Sequence, residues 1–192
     1  MKKRNLIAIG AAAVLLAACF PSVNPFYQDK DVISDPHLAG VWQDKDDTNN
    51  PEMWAFQQST NKGFDLTVTE QGKTGTFKAY LFKLNQQQFL DLIPSDCKYD
   101  SNQADLVGFS MFPGHLLMRI GQVEPELKLA PCDYDWLQKY LETNSTALAH
   151  HTEYERIILT DSTANLQKFV LNHLGTNELF KEYGTMVRRP KP

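Results

Sequence analysis

The stretch that decides the fold is Phe64-Asp65-Leu66-Thr67-Val68-Thr69-Glu70-Gln71-Gly72-Lys73-Thr74-Gly75-Thr76-Phe77-Lys78-Ala79-Tyr80-Leu81-Phe82-Lys83-Leu84. Phe64, Leu66 and Val68 alternate with polar residues, the period of a half-buried strand. Gly72 to Gly75 is read as a tight turn. Beyond it, Phe77, Ala79 and Leu81 share one face and Tyr80, Phe82 and Leu84 the other, so this second strand is expected to be covered on both sides.

Outward from this hairpin the same pattern recurs. Gly40-Val41-Trp42 and Met53 to Phe56 precede it, and Phe89 to Ile93, Leu116 to Ile120 and Leu127 to Leu129 follow. About seven strands accumulate before the first good helix. Asp133 caps a helix expected to run to about Thr143, with Trp136, Leu137, Tyr140 and Leu141 on one face. After a strand at Tyr154 to Leu159, Thr160 or Asp161 is expected to cap a second helix. Its stripe is Leu166, Phe169, Val170 and Leu174, with Gly175 at the C-terminal end. Glu178 to Tyr183 is expected to add a helical turn or two, and Met186 to Arg189 to return as a closing strand. Consecutive strands with late helices give a β-rich α+β class. The expectation is an antiparallel meander curled into a barrel or half-barrel, with two helices of the C-terminal half packed on it.

The composition fits one globular domain: 192 residues, 42% hydrophobic and 22% charged, with 10 Gly and 10 Pro. These values exclude a disordered chain, a collagen-like repeat and a coiled coil. Lys2, Lys3 and Arg4 precede an uncharged, mostly apolar run from Leu6 to Ala18, too short to span a bilayer and suited to a signal peptide. The run ends in Leu16-Ala17-Ala18-Cys19, which resembles the lipobox of bacterial lipoproteins. That resemblance implies cleavage before Cys19 and acylation of its thiol, usually with acylation of the new amino terminus as well. Several acyl chains anchor stably where one does not. The residue after the cysteine is Phe20 rather than Asp, which in that family favours the outer membrane over the inner. The expected organisation is a signal peptide over 1–18, a lipidated Cys19 with a flexible tether over 19–36, and a single β-rich domain over 37–192.

Removing residues 1–18 takes away three basic residues and no acid, which carries the formal charge from -4 to -7. An acidic mature chain is a poor partner for nucleic acid. Of the three cysteines, Cys97 and Cys132 remain after Cys19, an even pair suited to a disulfide in an exported chain. Such a bond would stabilise by roughly 3–4 kcal/mol on the chain-entropy view.

No catalytic or metal-binding constellation emerges, and no cofactor is expected. Asp44 to Asn50 lacks the Gly and Glu that a calcium loop needs at its sixth and twelfth positions, where Asn49 and Ala55 stand. Gly108-Phe109-Ser110-Met111-Phe112 lacks the second Gly of a nucleophile elbow. His151, Glu153 and Glu155 would share a strand face, but polar surface accounts for them. His37, His115 and His173 are isolated in the sequence. The terminal Arg188-Arg189-Pro190-Lys191-Pro192 is read as a frayed end.

Gly40-Val41-Trp42, following an extended segment, is similar to the Gly-x-Trp opening of lipocalin-like domains. In that family the Trp packs across the closed floor of a barrel. The two later helices depart from that family's single one. The chain also carries 11 Phe, 7 Tyr and 3 Trp, residues that fill cores and line apolar pockets. The functional expectation is a non-catalytic, lipid-anchored envelope protein that binds a small hydrophobic ligand, with Trp54, Phe77, Leu81, Met111 and Met118 as candidate lining. The alternative is a protein or glycan interaction module of the same fold with no ligand cavity.

Overall fold

In a computed structural model, the hairpin at 64–84 forms as β3 (Phe64–Glu70) and β4 (Lys73–Leu84). Phe64 pairs with Ala79 and Leu66 with Phe77. The turn is tighter than expected. Gln71 and Gly72 carry it, with φ of 49° and 77°, the left-handed pair that matches strand twist in a two-residue hairpin. Gly75 lies within β4, opposite Val68. The structure describes residues 20–47, 49–59, 62–95, 113–153, 156–176 and 178–190, so Cys19, Cys97 and Met111 lie outside the described residues.

The remaining strands are β1 (Gly40–Asp44), β2 (Met53–Gln58), β5 (Gln87–Pro94), β6 (Leu116–Gln122), β7 (Glu126–Pro131), β8 (His150–Glu153), β9 (Arg156–Leu159) and β10 (Gly184–Arg188). Eight of them close a barrel in the order β1-β10-β7-β6-β5-β4-β3-β2, while β8 and β9 form a separate two-stranded ribbon. Every neighbouring pair in the barrel is antiparallel. The closing strand β10 sets Arg188 opposite Trp42 of β1 and Met186 opposite Leu127 of β7. Full closure removes the open edges of the sheet.

Strand alternation divides the apolar residues into two cores. Trp42, Trp54, Phe56, Leu66, Leu81, Leu90, Met118 and Leu129 are among those that meet inside the barrel. Phe82, Leu84, Phe89, Leu117 and Ala130 point outward from β4 to β7 into a second cluster. There they meet Leu137 and Leu141 of α1 (Tyr134–Thr143) and Leu166, Phe169 and Val170 of α2 (Thr163–His173). The double coverage of β4 read from its two apolar faces is therefore present. Each fully buried side chain of this size is worth about 1.5–3 kcal/mol.

Helix α1 starts where the sequence places it, with Asp133 accepting from the Trp136 N–H. Helix α2 is capped by Ser162 rather than Thr160 or Asp161. The Asp161 carboxylate is instead drawn to the N–H groups of Ala149 and Ser162. Glu178 to Tyr183 does not continue as helix. Phe180 bridges Cys132 in an antiparallel pairing, because its ring is buried in the outer core beside Phe89.

The segment expected as a tether is folded. Phe20, Ser22 and Phe26 are buried. Ser22 exchanges both backbone hydrogen bonds with His115, and Val23 donates to Leu159. Further on, Lys83 donates to Asp31 and Ile33 to Leu81. The prolines of this stretch suit an extended segment laid along a wall, and Phe20 and Phe26 supply the apolar area that holds it there. Asp35 then caps a single 3-10 turn, Pro36–Leu38, which sets Leu38 into the interior core next to the start of β1.

Candidate functional site

The barrel interior gathers most of the residues proposed to line a ligand. Trp54, Leu81 and Met118 are fully buried within it, and Phe77 is partly buried against the same cluster. Met111 lies outside the described residues. The four that are described come from β2, β4 and β6, so closure of the barrel, not proximity in the chain, brings them together. Phe56 sits 6.0 Å from both the Trp54 and Phe64 rings, edge-on to Phe64.

At one end the interior is floored by the 3-10 turn. The Trp42 indole N–H donates to the Leu38 carbonyl at 2.9 Å. The Arg188 guanidinium lies over the Trp42 ring, 4.2 Å from its centroid. It also donates to the carbonyls of His37 and Ala39 and to Glu124. Gly40 permits this close approach: its φ is 135°, and a Cβ there would stand 2.4 Å from Arg188 Nη1.

Glu52 stands at the opposite end. It keeps the inward parity of Trp54 and Phe56, and it is 4% exposed. Its Oε1 accepts from the Trp54 indole N–H at 2.6 Å, while Oε2 has no hydrogen-bond partner among the described residues. Burial pushes its carboxyl up to about 7, reinforced by the negative charges of Glu70 and Asp44 and opposed by the Trp54 hydrogen bond. Nearby, the loop read as a failed calcium motif closes on itself. Asp44 accepts from the N–H of Asp46, and Asp47 from those of Asn49 and Asn50.

A second polar site lies on the outer wall. Asp91 points outward from β5, between the inward-facing Leu90 and Leu92, and is fully buried. It accepts from the Phe26 backbone N–H at 2.9 Å and lies 2.6 Å from His115 Nδ1. Burial raises the Asp91 carboxyl above the usual range, against the pull of His115 and the Phe26 N–H. This arrangement holds the N-terminal segment to the barrel. No hydrogen bond from the Ser22 hydroxyl to His115 completes it as a nucleophilic relay; Ser22 Oγ accepts from the Asn24 N–H.

Reading the sequence missed Glu52, Asp91 and the partners of His115. Asp91 did leave a signal, being one acid inside the apolar run Phe89 to Ile93. Glu52 left less, since an acid between Pro51 and Met53 resembles any loop residue. Cys132 is buried in the outer core, and Cys97 is outside the described residues. His173 hydrogen-bonds the Phe169 carbonyl of its own helix and packs on the rings of Trp136, Tyr140 and Phe169. His150 contacts the Leu148 carbonyl, while Glu155 and the Glu153 side chain lie outside the described residues. Among the described residues, no group of three His, Cys, Asp or Glu is placed to hold a metal ion. No helix among them is long and apolar enough to cross a membrane. No protein-family model, curated protein or solved structure matches the chain.

Proposed function

We propose that this is a lipid-anchored protein of the bacterial envelope, attached through Cys19 and more suited to the outer than the inner membrane. Its barrel carries a small hydrophobic molecule and performs no catalysis. The observation that carries the reading is the closed eight-stranded barrel with an apolar interior that includes Trp54, Leu81 and Met118. A barrel of this strand number is wide enough inside to be filled by side chains or to hold one small ligand. The Gly40-Val41-Trp42 opening and the floor beneath Trp42 support the lipocalin-like resemblance. A Cys97–Cys132 disulfide belongs to the same reading, as a structural bond of an exported chain.

The mutual packing of Trp54, Phe56 and Phe64 favours a second reading, in which the interior is a solid core and the outer surface binds an envelope protein or glycan. Native mass spectrometry separates the two. The chain from Phe20 onward, exported behind a separately cleaved signal peptide and purified without detergent, is expected to carry a small-molecule adduct that gentle ionisation preserves. A bare mass, unchanged after incubation with envelope lipid extract, would sink the carrier reading in favour of the interaction module.

A further inference from the structure

We propose that the Glu52 carboxyl is the polar anchor of the barrel's ligand, and that this ligand is an amphiphile with a cationic amine head and an apolar body. The inference rests on the carrier reading and names the chemistry that the interior would select. A side chain 4% exposed that leaves one carboxyl oxygen without a partner among the described residues is costly unless something supplies a donor. The indole of Trp54 fixes the other oxygen, and the inward direction of Trp54 holds the carboxyl at the inner rim.

The register places two more acids level with it. Gln43 pairs with Met53, and Met53 with Thr69, so Asp44 and Glu70 flank Glu52 on the adjoining strands. Their charges work against ionisation of Glu52, and a cation bound at Oε2 would reverse that effect. The described basic groups near this rim are directed elsewhere, and Arg189 donates to the Met53 sulfur at 3.2 Å. Lys45 is paired with Glu126 at 2.7 Å, and Lys73 is exposed at the turn, opposite Glu70. An ammonium donates up to three hydrogen bonds, whereas a fatty-acid carboxylate would meet repulsion from all three acids. Leu38 lies before Gly40, at the end where Gly40 pairs with Phe56, so the apolar body would extend from Glu52 past Trp54 toward that end.

Quenching of intrinsic tryptophan fluorescence by dodecylamine, dodecanol and dodecanoate at pH 8 tests the idea, using the chain from Phe20 onward. Dodecylamine is expected to bind about tenfold or more tightly than dodecanoate, the ratio one well-placed charge contact supplies. Glu52→Gln is expected to erase that preference while leaving dodecanol binding unchanged, because the amide oxygen can still accept from Trp54. Glu70→Gln, away from the indole, is expected to weaken amine binding by about twofold to threefold, and it serves if Glu52→Gln does not fold. Equal amine affinity in wild type and both variants would overturn the anchor while leaving the carrier reading intact. Failure of all three probes to bind the wild type would overturn both.

Discussion

The backbone N–H of Phe26 donates to Oδ2 of Asp91, while Oδ1 of the same carboxylate lies 2.6 Å from the His115 ring. One buried acid thus ties the N-terminal segment, β5 and the residue just before β6. Asp91→Ala would leave the Phe26 N–H and the His115 ring buried without that acceptor. A loss of about 2–4 kcal/mol is expected, read by urea unfolding. Asp91→Asn keeps one acceptor and should lose less. A cost below about 1 kcal/mol for Asp91→Ala would mean that the segment is held by its apolar contacts alone.

What the sequence made legible was what period-two alternation governs. The seven strands before α1, the two faces of β4 and the cap at Asp133 are all local patterns, and all are present. Closure was legible as a closing strand at Met186 to Arg189, but whether it completes a barrel or a half-barrel was not, because β10 pairs with β1 across more than 140 residues of chain, as between Trp42 and Arg188. The N-terminal segment was misjudged for a physical reason. Proline and short polar residues mark both a tether and a strand-like strap, and the difference lies in whether a wall exists to receive Phe20 and Phe26. Glu52 could not be recognised, and Asp91 left only its place inside the apolar run Phe89 to Ile93, since burial of an acid is a property of its neighbours in space.

Gly40 and Arg188 form a coupled pair. Gly40→Ala would force a side chain into a backbone conformation that nearly all residues avoid, and its Cβ would meet the guanidinium. A loss of about 1–3 kcal/mol is expected from the backbone, with more from the clash. Arg188→Ala removes the Trp42 stacking and the contacts to Ala39 and Glu124, a loss of about 1–2 kcal/mol at this partly exposed site. In thermal unfolding the double variant should lose less than the two single losses combined, since the clash disappears with the arginine. Strict additivity would refute the contact.

Glu52 gives stability a pH dependence of defined sign. Its folded carboxyl titrates near 7, above the value of about 4.3 for a free glutamate. Between these limits the folded chain keeps a proton that the unfolded chain releases, so stability falls as pH rises from about 4.5 to about 7. Glu52→Gln removes this dependence. The variant should match the wild type near pH 4.5 and exceed it by about 1–3 kcal/mol at pH 8. Parallel denaturant titrations at the two pH values measure the difference; a constant gap would show that the carboxyl is solvated.

Met118 is fully buried in the interior, on the strand between β5 and β7. Enlarging it to Trp costs about 1–3 kcal/mol in a core without spare volume. In a barrel that carries a ligand, Met118→Trp should cost less than that and abolish the adduct seen by native mass spectrometry. Retention of a full adduct would place the ligand outside the barrel.

The folded strap also bears on how the proposed anchor would work. Phe20, the residue after Cys19, is already buried, and Ser22 is fixed by His115 and Leu159. With acyl chains on Cys19 there is almost no slack between membrane and domain, so the wall around Val23, which is 48% exposed, should face the lipid. Val23 lies beside β6 and β9, whereas Gln57 is exposed on β2, across the barrel from β6. A fluorophore at Val23 should therefore be quenched by nitroxide-labelled lipid in vesicles, and one at Gln57 should not. Ten Gly/Ser residues inserted between Cys19 and Phe20 add a reach of about 18 Å and should abolish the difference while membrane attachment persists. The chain from Phe20 onward, exported behind a separately cleaved signal peptide, should be released altogether. Attachment that survives with neither residues 1–18 nor Cys19 present would refute the anchor, whereas equal quenching at Val23 and Gln57 in the acylated protein would refute the orientation alone.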